Sequence, residues 1–125
     1  QKFMKVLTIE QMNKLKGLEI GVKPKGMCLM YTSDSSYNYY LKYGESTCDD
    51  DVAALGLQDV VELLPKKING TYLSLELDDC SIDYYYIDYD ERISWKSIDF
   101  NIEEIMDGVY EMLIWVIKKG YLKTK

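Results

Sequence analysis

The sequence predicts an α+β fold, in which an antiparallel sheet of about four or five strands carries its helices on one face. Two observations predict it. The C-terminal segment has the apolar spacing and the end signals of a long helix, and three alternating segments before it, joined by turn residues, have the pattern of a three-stranded meander. At 125 residues and 47% hydrophobic content, the chain is expected to form a single domain over residues 1–125 without disulfides or metal.

The N-terminal part of the chain predicts a short helix, then a strand pair. Thr8 and Gln11 have the spacing of a capping box, and an apolar helix face follows that ends near Gly17. Beyond it lie a short apolar run typical of a strand covered on both faces, a turn, a returning strand and a polar loop: residues 27–32, 33–36, 37–43 and 44–51. In the returning strand Tyr39, Leu41 and Tyr43 share one face.

A second helical pattern covers residues 51–64, and Pro65 ends it. Its start is open between two positions. An aspartate or Thr47 can cap the helix near residue 49, but Gly56 inside a helix costs about 1 kcal/mol and can instead mark a start at Leu57.

The meander begins after a turn signal at Asn69-Gly70. Leucines at positions 73, 75 and 77 alternate with polar residues, so the leucine face of this strand is expected to point inward. The next two strands are predicted at 82–89 and 92–100, with turns at 79–81 and 90–91.

The last helix is predicted over residues 102–119. Asn101 and Glu104 have the spacing of a capping box. Gly120 is placed for the left-handed conformation that ends a helix, with Tyr121 and Leu122 folding back as its apolar contact. Trp115 lies away from the centre of the apolar stripe and therefore covers a second surface. Either another segment of the chain packs over it, or it anchors a protein interface.

Charge and cysteine content exclude several functions. A net charge of −6 argues against binding to nucleic acid or to an anionic membrane, and no apolar run is long enough to span a bilayer. The segment 76–91 contains seven acidic and no basic residues, which predicts a negative surface region. The three cysteines are widely spaced and odd in number, which favours free thiols in a reducing cytoplasm over disulfides or a zinc site.

No catalytic constellation is present in the sequence. It contains no histidine, no glycine-rich phosphate loop and no nucleophile elbow, so we expect no enzyme activity and no cofactor. The acidic runs at 49–51 and 88–91 lack the alternating oxygens and the glycine of a calcium loop, and we therefore predict no metal site.

Tyrosine is the most unusual component, with twelve tyrosines against two phenylalanines. The strand predicted at 82–89 has aromatic residues on both faces, of which one belongs to the core. The other is either covered by the N-terminal segment or open as an acidic, aromatic surface that suits a basic protein partner or a second copy of the chain. The candidate partner-binding residues are Tyr85, Tyr89, Asp83, Asp88, Glu76 and Trp115.

Three segments of the second half also carry a resemblance. Residues 57–68, together with 110–115 and the ending 119–122, resemble small proteins encoded in prophages and mobile elements of gut bacteria. Those proteins have no established activity, so the resemblance assigns no site residues. It implies an accessory protein that binds host or phage components.

The leading hypothesis is therefore a small, acidic, cytoplasmic protein–protein interaction module. One alternative is an enzyme or small-ligand protein with a pocket that contains carboxylates. Another is a structural subunit of a larger assembly, which predicts a large exposed apolar patch.

Overall fold

The computed structural model describes residues 5–34 and 38–122, and it confirms the α+β class. In this part of the chain the helices are α1 (Ile9–Gly17), α2 (Leu57–Leu63) and α3 (Ile105–Lys118). The strands are β1 (Cys28–Ser33), β2 (Tyr39–Gly44), β3 (Val52–Ala53), β4 (Lys67–Ile68), β5 (Thr71–Glu76), β6 (Ser81–Asp88) and β7 (Glu91–Asp99). They form two antiparallel sheets, of three and four strands.

The chain divides into two compact units, the first ending at Gly56 and the second beginning at Leu57. Each sheet belongs to one unit. The expectation of one domain over residues 1–125 stays a prediction.

The first unit opens with the predicted capping box. The Thr8 hydroxyl accepts a hydrogen bond from the Gln11 backbone N–H at 3.1 Å, and the Gln11 side chain accepts one from the Thr8 N–H at 2.9 Å. These two bonds satisfy free donors at the start of α1. The helix then buries Met12 and Leu15.

The sheet of the first unit has the strand order β2-β1-β3. In the central strand β1 the consecutive residues Met30, Tyr31 and Thr32 are all buried, which confirms that this strand is covered on both faces. The Tyr31 hydroxyl donates to the Leu7 carbonyl. The edge strand β2 is largely exposed. Of the turn predicted at 33–36, residues 35 and 36 lie outside the described residues.

The second helix begins at Leu57, the later of the two predicted starts. Val52 and Ala53 cannot belong to a helix because they pair with Tyr31 and Met30 of β1. A helix start near residue 49 is therefore wrong, since the chain must stay extended there to complete the first sheet.

The second sheet has the order β4-β5-β6-β7, and β5, β6 and β7 form the predicted meander. Strand β4 was not predicted, because two residues are too few to show alternation. It joins β5 through Asn69-Gly70, where both residues have positive φ, as a type I′ turn requires. Leu77 does not point inward as predicted: β5 ends at Glu76, and Leu77 is 56% exposed in the following turn.

The C-terminal helix begins differently from the prediction. One 3₁₀ turn, Ile102–Glu104, precedes α3, and the Asn101 side chain makes no capping bond. In the tighter turn the Glu104 N–H bonds to the Asn101 carbonyl at 2.7 Å, so backbone replaces the side chain as acceptor.

The end of α3 confirms the prediction. Gly120 has φ +81°, its N–H bonds to the Ile117 carbonyl, and the Tyr121 N–H bonds to the Val116 carbonyl, both at 3.0 Å. This is the Schellman arrangement.

The core of the second unit lies between α3 and one face of the sheet, where α3 packs against β6 and β7. Ile82 and Tyr84 of β6 are fully buried, and the Tyr84 hydroxyl donates to the Pro65 carbonyl at 2.8 Å. Burial raises the pKa of this hydroxyl. Gly108 of α3 allows close contact, because a Cβ there would lie 2.6 Å from the Phe100 ring. The opposite sheet face carries three of the predicted site residues, Glu76, Asp83 and Tyr85.

Candidate functional site

Tyr85 lies on the sheet face opposite to Tyr84, as the alternation predicted. It is half-buried, and its ring centre lies 6.1 Å from that of Tyr72, the residue of β5 with which it pairs. A β-bulge at Tyr84 and Tyr85 shifts the register of β7. Such a bulge changes strand twist and re-aims the side chains beside it.

Arg92, the only arginine in the sequence, organises this face. Its guanidinium lies 3.0 Å from an Asp83 carboxylate oxygen, 3.2 Å from one of Glu76, and 3.9 Å from the centre of the Tyr85 ring. Three candidate residues of the sequence analysis are thus brought together around one cation. We call Glu76, Asp83, Tyr85 and Arg92 the arginine cluster.

The arginine cluster is balanced within itself. Asp83 is 6% exposed, and a carboxylate so deeply buried needs a paired cation and hydrogen bonds. The guanidinium also stacks on Tyr85, which leaves less of that ring open. The negative surface expected over 76–91 is therefore partly neutralised. Arg92 was missed because it lies one residue beyond the acidic segment, and only strand pairing returns it to Asp83 and Glu76.

The end of the β6–β7 hairpin, residues 86–91, is open, and we call it the hairpin tip. Tyr89 is 95% exposed, and Ile87 is 58% exposed. Strand β6 ends at Asp88, so Tyr89 lies in the turn and not in the strand, where the alternation predicted it. The tip therefore projects a large aromatic and an aliphatic side chain into solvent.

The hairpin tip also concentrates negative charge. Asp88 lies directly across the hairpin from Glu91, and Asp90 occupies the turn between them. Within residues 5–34 and 38–122, no ion pair involves any of these three carboxylates. Like charges directly opposite each other destabilise a strand pair.

The turn has one residue, Tyr89, that is unfavourable for its conformation. Tyr89 and Asp90 have φ of +49° and +68°, in a two-residue loop of the kind that glycine and asparagine favour. The same chain places Asn69-Gly70 in the equivalent loop between β4 and β5, with φ of +50° and +84°. A bulky residue at positive φ is a backbone outlier, and such outliers concentrate at functional sites.

Trp115 belongs to a different cluster, on α3. Its ring lies 5.6 Å from the rings of both Trp95 and Tyr121, and the Lys96 ammonium is 5.2 Å from its centre. Tyr121, the residue after the helix-ending glycine, also contacts Trp95 at 5.7 Å. Other segments of the chain therefore pack against Trp115, and its role as an interface anchor stays a prediction.

The first unit contains a cavity of about 180 Å³. Most of its lining surface is apolar, although two aspartates and two lysines contribute to it. The lining residues are Lys16, Ile20, Gly21, Val22, Lys23, Asp49, Asp51 and Val52. The Lys23 ammonium donates to the Asp49 carbonyl at 3.0 Å. That cation is thus engaged with the loop at the cavity wall.

Asp51 is the buried carboxylate of this cavity. Its Oδ2 accepts hydrogen bonds from the Ser46 hydroxyl at 3.0 Å and the Thr47 N–H at 3.1 Å. Interaction with the Thr32 hydroxyl, followed by these bonds, holds the pKa of the carboxyl below its ordinary value. The other oxygen, Oδ1, is buried and accepts no hydrogen bond of good geometry from the described residues.

Within 5–34 and 38–122, no three cysteine, aspartate or glutamate side chains are grouped so that they could hold a metal ion. No helix in those two ranges is both long and apolar enough to cross a membrane.

In comparison with known proteins, no family model, no curated protein and no solved structure matches the chain.

Proposed function

We propose that the protein is a protein–protein interaction module that binds a basic partner through its hairpin tip. One observation carries the proposal: Tyr89 has a positive φ, which tyrosine disfavours, in a tight turn, although the chain has asparagine at the equivalent position of its other turn of this kind. Backbone strain of this kind lowers stability, and it concentrates at functional sites. Binding gives a reason to keep an exposed tyrosine and a carboxylate in this turn.

The chemistry of the tip defines the partner. Ile87 and Tyr89 offer apolar and aromatic contact area, and a tyrosine provides such area at low entropic cost. Lysine or arginine side chains of a partner would pair with Asp88, Asp90 and Glu91, and would relieve the repulsion across the hairpin. Nucleic acid is a poor partner for this surface, because its phosphates would face the same carboxylates.

The expected cellular location and the expected accessory role are supported by features outside the hairpin tip. A cytoplasmic location is favoured by the three free cysteines. An accessory role in a prophage or mobile element depends on the sequence resemblance alone.

Affinity capture from a lysate of the source cells, at near-physiological salt, tests the proposal. The bait is compared with an apolar variant, Ile87→Ser/Tyr89→Ser, and with a charge variant, Asp88→Asn/Glu91→Gln. Leu77→Ser is the matched control, because Leu77 is as exposed as Ile87 but lies in the turn at the opposite end of β6. We expect one basic protein whose retention falls about fivefold or more in both tip variants.

The control should retain that protein as the wild type does, and higher salt should weaken capture of the wild type more than of the charge variant. Equal retention by the wild type and both tip variants would remove the hairpin tip as the binding surface. Loss with the control alone would move the site to the opposite end of the sheet.

A second candidate function is favoured by Asp51, a residue of the cavity lining whose buried Oδ1 lacks a good hydrogen-bond donor. A small molecule that occupies the cavity could donate the missing hydrogen bond to Asp51. A thermal-shift screen of small amines and alcohols tests this function. A compound that stabilises the wild type but not Asp51→Asn would support it, and a screen without such a compound would count against it.

A further inference from the structure

The edge strand β2 differs from the other sheet edges in the described part of the chain. Proteins protect exposed edges with short strands, bulges, prolines or charged side chains. Strands β3 and β4 have two residues each, and β7 has a bulge in its pairing and carries Glu91, Arg92 and Lys96. In contrast, β2 has six residues, regular pairing with β1, no proline and one charged side chain, Lys42.

Two hydrogen bonds establish which backbone groups of β2 face outward. The Asp34 N–H bonds to the Asn38 carbonyl, and the Ala54 N–H bonds to the Leu29 carbonyl on the other side of β1. Because hydrogen-bonded and non-hydrogen-bonded pairs alternate in an antiparallel ladder, Tyr40, Lys42 and Gly44 bond to β1. The N–H and C=O groups of Tyr39, Leu41 and Tyr43 therefore point to the open edge.

The side chains of the same strand are exposed on both faces. Tyr39, Leu41 and Tyr43 lie on one face and Tyr40 on the other, and all four are exposed, Tyr43 to 66%. An unprotected edge with apolar side chains on both faces is a surface that pairs with another strand.

We propose that this strand is the dimer interface of the protein, and that β2 of a second copy pairs with it antiparallel about a two-fold axis at Leu41. In that register Leu41 faces Leu41 of the second copy, and Tyr39 faces Tyr43. Each of the three outward residues contributes one donor and one acceptor, so the two strands form about six hydrogen bonds. The two three-stranded sheets become one continuous sheet.

The sequence around Leu41 favours a second copy as the occupant. Positions at equal distance on either side of Leu41 are matched, because Tyr39 corresponds to Tyr43, and Tyr40 to Lys42, whose ammonium can lie over the Tyr40 ring of the other copy. Such self-complementarity is what a two-fold interface requires.

Charge supports the same choice. The chain carries a net charge of −6, so two copies repel each other over most approaches. Residues 38–44 contain one lysine and no acidic residue, and the nearest acids in sequence are Asp34 and Glu45. Two acidic molecules can therefore meet along β2 without placing carboxylates opposite each other. This proposal is independent of the hairpin tip.

Sedimentation velocity over about a hundredfold range of concentration tests the dimer, since mass action makes dimerisation depend on concentration. Two variants test the register. Tyr39→Lys/Tyr43→Lys places lysines opposite each other at both ends of the paired strands, whereas Tyr39→Glu/Tyr43→Lys places opposite charges there. Both residues are exposed, and circular dichroism verifies that each variant is folded.

We expect the wild type to dimerise, the Lys/Lys variant to dissociate with a Kd raised about tenfold or more, and the Glu/Lys variant to stay within about threefold of the wild type. A wild type that remains monomeric over the whole concentration range would overturn the proposal, and a strand of a different protein would then be the partner of the β2 edge. Equal Kd values for the Lys/Lys variant and the wild type would exclude β2 as the dimer interface. Equal weakening of both variants would exclude the register about Leu41.

Discussion

Exchanging the residues of the two tight turns should change stability in opposite directions. In Tyr89→Asn/Asp90→Gly the hairpin tip receives the Asn-Gly sequence that the chain already uses at 69–70. A left-handed backbone costs a residue other than glycine about 1–2 kcal/mol, and asparagine tolerates it better than tyrosine. The change also removes the Asp90 carboxylate from its place between Asp88 and Glu91. We therefore expect a gain of about 1–2 kcal/mol in the free energy of unfolding.

The reverse exchange, Asn69→Tyr/Gly70→Asp, is the matched experiment. It should lower the free energy of unfolding by at least about the same amount, because Gly70 has φ +84°. Urea unfolding followed by tryptophan fluorescence measures both. Trp95 and Trp115 contact each other inside the second unit, so their emission reports on the unit that contains both turns. No gain in the first variant, or no loss in the second, would refute the argument that the tip residues are kept against stability.

Three further predictions concern other parts of the chain. Arg92→Met should destabilise the second unit by about 2 kcal/mol in the same urea experiment, since buried Asp83 loses its cation; a loss below about 0.5 kcal/mol would contradict this. Gly108→Ala should cost about 1–3 kcal/mol by calorimetry, because its methyl group would overlap the Phe100 ring, and an unchanged Tm would show that the ring moves freely. For Asp51 the folded pKa is lowered, so its contribution to stability is complete above its ordinary value of 3.8 and is lost as pH falls through the folded pKa. The stability difference between wild type and Asp51→Asn, measured by circular dichroism, should accordingly narrow on acidification, and a constant difference would be evidence against this role.

The local features of the fold were predictable from the sequence. The Thr8 capping box, the Asn69-Gly70 turn and the ending of α3 at Gly120 depend on residues within a few positions of each other. The start of α3 was not, because Asn101 has the right spacing but a 3₁₀ turn supplies a backbone acceptor instead. Strand β4 has two residues, which are too few to show an alternating pattern, so the sequence does not predict it.

The candidate site was predictable only in part, for a similar reason. Alternation correctly separated Tyr84 from Tyr85, and composition marked the acidic segment. The role of Arg92 depends on strand register, which brings it to Asp83, nine residues away, and to Glu76 on a third strand. Pairing of that kind is fixed by tertiary structure, and a single sequence does not display it.

Photo-crosslinking from the turn tests the binding role of the hairpin tip most directly. A photoreactive phenylalanine derivative in place of Tyr89 keeps an aromatic side chain at a position that is 95% exposed, and the same residue in place of Leu77 is the control. Both proteins are expressed in the source cell and irradiated, and adducts are identified by mass spectrometry. The proposed function predicts an adduct with one basic protein from position 89 that is missing from position 77. Adducts of the same kind and yield from both positions, or none from position 89, would contradict it.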